Sequence, residues 1–314
     1  MNNFIAMIIP VLLITLSCHK MPKEVWVEKS GLYPEGLEYD SSGNNFFVTS
    51  LKEGIIGKVD KRGHYTKFIE DPNFISAIGI RVDNKRNKLF VANSDPGVSI
   101  KTTAKTQKKI AGLGIFNLKD GKLIKYVDLG ALLPKENHFA NDIALEPKDG
   151  SVYVTDSFSP VIYKVSTDGD AQIFLQDKKF EGKGFNLNGI VLHNDYLIVA
   201  KDNDGTLFKI PLNNPKSFKE IDVDQKMEGA DGLLLDNEGN LIVSANGSAN
   251  TVYLLKTGNN FDMARVVAYD NNDWRFNTTG ILVGEKIYIL NAELNMLFGG
   301  KPDVVRYEIR QITF

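Results

Sequence analysis

One phrase recurs six times along this chain, and no other feature limits the possible folds as tightly. Its copies open at Pro34-Glu35-Gly36-Leu37, Ala77-Ile78-Gly79-Ile80, Ala140-Asn141-Asp142-Ile143, Leu187-Asn188-Gly189-Ile190, Ala230-Asp231-Gly232-Leu233 and Thr278-Thr279-Gly280-Ile281. Each sets a polar or small residue before an apolar run and a turn. A second apolar run follows, as in Phe46-Phe47-Val48-Thr49, Val152-Tyr153-Val154-Thr155 and Leu241-Ile242-Val243-Ser244. Spacing of mostly about 40–50 residues with strand-like runs predicts an all-β chain, a six-bladed β-propeller of four-stranded antiparallel blades. From Val25 onward the runs are short and rich in β-branched and aromatic residues, as strands require. Pairs such as Asp120-Gly121, Asp149-Gly150 and Asp168-Gly169 supply hairpin turns. Ring closure calls for a partner between Val25-Trp26-Val27 and the last run, Val304 to Ile309, because an unpaired edge invites association.

Residues 25–314 therefore read as one propeller, preceded by two short segments. Residues 1–17 carry an almost wholly apolar stretch from Phe4 to Ser17, of signal-peptide rather than membrane-spanning length. Cys18, the one cysteine, follows it directly and resembles the lipidated cysteine of a bacterial lipoprotein, with 18–24 as linker. The expectation is an exported protein, held at the cell envelope through Cys18 or otherwise secreted. A single cysteine excludes a disulfide framework. The 37 basic and 39 acidic residues give a net charge of −2, which offers nucleic acid no electrostatic footprint. A membrane enters only through the lipid anchor, and a monomer is expected.

The residues heading the copies are Glu35, Ile78, Asn141, Asn188, Asp231 and Thr279. In a propeller the starts of the innermost strands surround one end of the central channel, so two carboxylates and two amides are expected to meet there. Crowded carboxylates in a poorly solvated space repel and take up protons. A divalent cation removes that penalty, and an all-oxygen set suits hard ions. Ca²⁺ is the first expectation, with Mg²⁺, Mn²⁺ or Zn²⁺ as alternatives.

With these motifs in place the repeat region, about Val25 to Ile309, resembles the SMP-30/gluconolactonase/LRE family, six-bladed propellers that hydrolyse sugar lactones and related esters with a divalent metal. The resemblance implies metal-ligand roles for Glu35, Asn188 and Asp231. It implies a substrate or water contact for the Asn141-Asp142 pair. It further suggests that Asp231 serves as catalytic base toward a small lactone or ester. Leu187 and Ala230 stand where the family has proline, and His138 where it often has arginine. His138 is thus a candidate substrate-binding or acid/base group, given its near-neutral pKa.

Other histidines carry no expected role. Asp156, Asp202 and Asn246, each after a second strand, read as architecture because they recur. Trp274 and Arg275 are candidates for the pocket rim, and the Ser94–Gly112 insertion is either a lid or decoration. No nucleophile elbow, zinc helix or phosphate loop is present. Two further readings stay open: a non-catalytic, NHL-like propeller that binds a ligand or partner, and a strictosidine-synthase-like enzyme.

Overall fold

Short apolar runs separated by tight turns pair with their sequence neighbours, so the chain folds as six successive meanders around one axis. The computed structural model describes residues 21–247, 250–258 and 260–314. The first three blades comprise Leu37–Asp40 to Tyr65–Glu70, Ser76–Asp83 to Leu123–Asp128, and Ala140–Leu145 to Ala171–Gln176. The fourth runs from Leu187–His193 to Lys219–Glu220, and the fifth from Ala230–Leu235 to Met263–Asp270, with Asp222–Val223 added in parallel at its outer edge. The sixth combines Asn277–Val283, Lys286–Asn291 and Tyr307–Ile312 with the N-terminal strand Glu24–Val27. Turn glycines adopt left-handed backbone, as at Gly150 (φ 79°), a region closed to most side chains. In the first hairpin Asn44 (φ 52°) takes that role instead of Gly43.

The first strand closes the last blade: Val25 pairs with Ile309 and Val27 with Tyr307. The partner strand begins at Tyr307 rather than Val304. Further contacts hold the seam between the sixth and first blades. Phe46 meets Tyr288 edge-on at 5.7 Å and Lys52 pairs with Asp303 at 2.5 Å, while within the sixth blade Tyr288 donates its hydroxyl hydrogen to the Pro22 carbonyl at 2.8 Å. Apolar residues from adjacent blades form the core, and the inner halves of the strands are almost entirely buried. The leader 1–17 and Cys18 lie outside the described residues.

Five of the six inner strands carry a β-bulge at the phrase. Pairing jumps from Ala140 to Ile143, from Leu187 to Ile190, from Ala230 to Leu233, from Ala77 to Ile80, and from Asn277 to Gly280. The two residues inside each jump are released from the ladder and re-aimed, as bulges do at functional sites. The register corrects one reading of the sequence: the sixth head is Thr278, not Thr279. Glu35 falls into the same series because Leu37 pairs with Val48, as Ile80 does with Val91.

The glycine after a head is set by packing between blades and not by turn geometry. A Cβ on Gly36 would lie 2.4 Å from the Ile78 carbonyl oxygen, one on Gly79 2.3 Å from that of Asn141, and one on Gly189 2.2 Å from that of Asp231. Where glycine is absent, a hydroxyl holds the next carbonyl instead. Thr155 donates to the Asn188 carbonyl at 2.7 Å, and Thr278 to the Glu35 carbonyl at 2.9 Å. Gly189→Ala should therefore lower stability by about 1–3 kcal/mol through overpacking. Gly258→Ala, whose nearest neighbour would be 3.7 Å away, should leave it unchanged. Denaturant midpoints of the two variants check this.

Candidate functional site

The bulges deliver the head residues to a waist in the channel. Above it lies a cavity of about 60 Å³ whose polar lining is Glu35, Asn141, Asn188, Asp202, Asp231 and Asn246. Below it lies a second, far smaller one of about 10 Å³ that includes Arg81, Asp142 and Thr279. Glu35, Asn188 and Asp231 line both, so these three residues, remote in sequence, form the constriction. Asn141 faces the upper cavity only and Asp142 the lower. All four of Glu35, Asn141, Asn188 and Asp231 are 3–8% exposed.

A second tier fixes the heads of blades three to five. The residue just after the second strand of each blade reaches its own head: Ser157 in the third, Asp202 in the fourth and Asn246 in the fifth. The Asn141 Nδ2 donates to Ser157 Oγ at 2.9 Å, and Ser157 gives its own hydrogen to the Leu187 carbonyl at 2.6 Å. Ser157 can therefore only accept from Asn141, which forces the amide nitrogen outward and leaves Oδ1 without a partner. Asn188 Oδ1 is likewise buried and unpartnered, while the Asn188 side chain hydrogen-bonds Asp202. Asn246 Nδ2 donates to Asp231 Oδ2. Two orphan acceptors beside acidic side chains lack a donor or a cation, since buried polar atoms are nearly always satisfied.

The electrostatics agree. Burial, and then the nearby charge of Asp142, pushes Glu35 up to about 8. Asp231 is raised well above the usual carboxylate range by burial and by the charges of Glu35 and Asp202. Burial lifts Asp202 to about 6 against the opposing Asn188 hydrogen bond. Without a cation, some of these acids keep their protons. Among the described residues no three His, Cys, Asp or Glu side chains converge as an ion site by themselves. The oxygens of Asn141 or Asn188 are needed to complete a set with Glu35 and Asp231. That mixture of carboxylates and neutral carbonyls fits a hard divalent cation.

Below the waist, Asp142 accepts from the Ile190 backbone N–H at 3.2 Å and lies 3.6 Å from Arg81, which also approaches Glu38 at 3.5 Å. Asp142 sits where four other blades have glycine and the sixth has Thr279, and it is turned into this ionic plug, away from the upper cavity that Asn141, its partner in the expected substrate or water contact, faces.

His138 requires the same kind of correction. It is buried, with Nδ1 2.8 Å from Asp156 Oδ2 and Nε2 2.9 Å from the Leu133 carbonyl. Both ring nitrogens are engaged, and the ring lines neither cavity around the waist. Burial alone would lower its pKa, but the Asp156 hydrogen bond and charge outweigh that and leave it raised. Asp156 also accepts from the Phe139, Phe158 and Ser159 N–H groups, so it clamps the loop entering its inner strand.

Asp202 and Asn246 do not share the Asp156 position. They stand one residue later, and because side chains alternate along a strand they face the site instead of the loop. The sequence signal was available in the register of the second strands. Trp274 packs among Ile242, Val252, Ile289 and Ile312, and Arg275 pairs with Glu293 at 2.6 Å; the adjacent Phe276 lines the cavity. The 94–112 insertion contributes nothing to that lining. It is tied down by Ser99 Oγ, near the Lys52 and Ile75 carbonyls, and by Asp95, which accepts from Thr102 and Thr106.

No protein-family profile matches the chain, and no curated protein does. Solved structures do resemble it. The major allergen Mala s 1 of Malassezia sympodialis is 17% identical with a TM-score of 0.73, over 94% of this chain and 97% of that one. The calcium-binding protein regucalcin from Agrobacterium tumefaciens is 15% identical with a TM-score of 0.64, over 93% and 94%. A putative gluconolactonase is 12% identical with a TM-score of 0.62, over 93% and 94%. At these identities the likeness shows the propeller fold and its relatives, with no family assignment.

Glu35 holds its proton more tightly when folded, at about 8 against 4.5 for the free side chain. That contribution to stability is complete below about pH 4.5 and is lost as pH rises through about 8. Chelator-treated protein should therefore become less stable over this window. Glu35→Gln should flatten the slope, as read from thermal midpoints against pH.

Proposed function

We propose that this propeller is a divalent-cation-dependent hydrolase of a lactone or related small ester. The observation that carries the reading is the pair of buried, unpartnered amide oxygens of Asn141 and Asn188 beside Glu35 and Asp231 at the channel waist. Glu35, Asn188 and Asp231 would hold the ion, with Asn141 next to them. A cation there supplies Lewis acidity toward a carbonyl and toward water. The putative gluconolactonase and the calcium-binding regucalcin among the structural neighbours support the reading.

The chain's own groups divide the remaining work. Asp231 is the general base: it lines the cavity at the waist, and Asn246 fixes one carboxylate oxygen, which leaves the other to take a proton from water. Asp202, shifted to about 6, stands at the cavity floor to pass a proton to the leaving oxygen. Asn141, its amide nitrogen held by Ser157, presents only an acceptor.

A second reading rests on one observation: among the described residues no histidine, serine or lysine lines the upper cavity. The propeller would then bind a ligand without turnover. Its position in the cell, through the expected leader and Cys18, is part of the proposal and independent of the chemistry.

A panel of lactones and aryl esters with Ca²⁺, Mn²⁺ or Zn²⁺, before and after chelation, separates the two readings. Metal-dependent turnover that falls at least about 100-fold in Asp231→Asn, with the fold and thermal transition retained, is the expected outcome. Turnover unaffected by Asp231→Asn or by chelation would remove the cation-dependent mechanism, and no turnover of any panel member would leave the binding reading.

A further inference from the structure

The upper cavity has two chemically different halves. Among the described residues its floor holds every polar side chain that lines it, whereas its walls are Leu51, Phe139, Phe185, Phe276, Leu294 and Phe298. These walls are built and not incidental. Phe139 lies 5.2 Å from Phe185, edge to face, and both contact Phe158, at 5.4 and 5.0 Å. Phe298 reaches Phe185 from the short helix Leu294–Phe298 at 6.3 Å.

Phe276 adds an independent sign. Its φ of 63° is a genuine outlier for a bulky residue. The strain is held by the Asn250 Oδ1, which accepts from the Phe276 N–H at 2.9 Å, and by the Ala292 N–H donating to the Phe276 carbonyl at 3.0 Å. A phenyl group kept at a ligand cavity in a disfavoured backbone state is a recognised mark of a functional constraint.

We infer that the cavity takes a substrate whose group next to the ester is aryl or alkyl, not a polyhydroxylated sugar ring. This deepens the hydrolase reading and rests on it for the ester, though not for the apolar group. The reason is hydrogen-bond satisfaction. The floor oxygens are engaged by an ion and one ester function, and no wall residue carries a side-chain donor or acceptor. Each sugar hydroxyl pressed against the rings would lose its water partners and gain none in return. An aryl group in the same place gains apolar burial and ring contacts.

The test uses the full chain with Ca²⁺. Hydrolysis of γ-phenyl-γ-butyrolactone is compared with that of glucono-δ-lactone, and calorimetric binding of 4-phenylbutyrate with that of gluconate. The aryl compound of each pair should be favoured at least about ten-fold. Phe185→Ala should weaken 4-phenylbutyrate about ten-fold and leave gluconate unaltered; Phe298→Ala, at a 42% exposed position, gives the same readout with little risk to folding. Glucono-δ-lactone turned over as well or better would overturn the inference and leave the hydrolase reading intact. Phenylbutyrate binding that depends on Phe185 or Phe298, with no turnover of either lactone, would sustain the inference and sink the hydrolase reading. Binding unaffected by both variants would overturn it.

Discussion

The close approach of backbone between neighbouring inner strands governs this molecule. At Gly36, Gly79, Gly189 and Gly232 the next blade's carbonyl sits where a Cβ would be. Only that contact lets six inner strands crowd around one axis tightly enough for their head residues to meet. The bulges follow from the same crowding. A continuous ladder would alternate side chains strictly between the two blade faces, whereas two residues released from pairing can turn one side chain to the axis and leave the other facing the next blade. Asn141 and Asp142 show both outcomes, one above the waist and one below it.

The site is the electrostatic consequence of that geometry. Glu35, Asp142, Asp202 and Asp231 are brought together under poor solvation, and Arg81 neutralises only the lower end, near Asp142 and Glu38. The upper end keeps its acids by raising their proton affinities. Its two bare amide oxygens complete an environment in which a small cation satisfies several groups at once. Folding places these groups at a cost, and a ligand that relieves the cost is bound in proportion.

The second tier explains why the floor can be specific while the walls are plain. Ser157, Asp202 and Asn246 each address the head of their own blade. Orientation of the site is thus settled within single blades, and only the meeting of the heads requires the ring. The aromatic walls come from other elements: the entry loops at Phe139, Phe185 and Phe276, and the helical turn of the sixth blade at Leu294 and Phe298. Wall and floor are therefore separable in sequence, so one propeller frame can keep a floor and change what it admits.

The repeats in the sequence determined the blade number, the order of strands and the convergence of Glu35, Asn141, Asn188 and Asp231. A six-fold pattern of apolar runs has one way to close, and equivalent positions must then share an environment. Tertiary structure alone decided that Thr278 and not Thr279 heads the last blade, since a bulge moves the count by a residue that a string of letters does not show. It also decided that His138 faces Asp156, that Asp142 faces Arg81, and that Asp202 and Asn246 belong to the site. In each case the residue type was compatible with either side. Which way a side chain points depends on strand register, fixed by hydrogen bonding to a partner strand and by packing against the neighbouring blade.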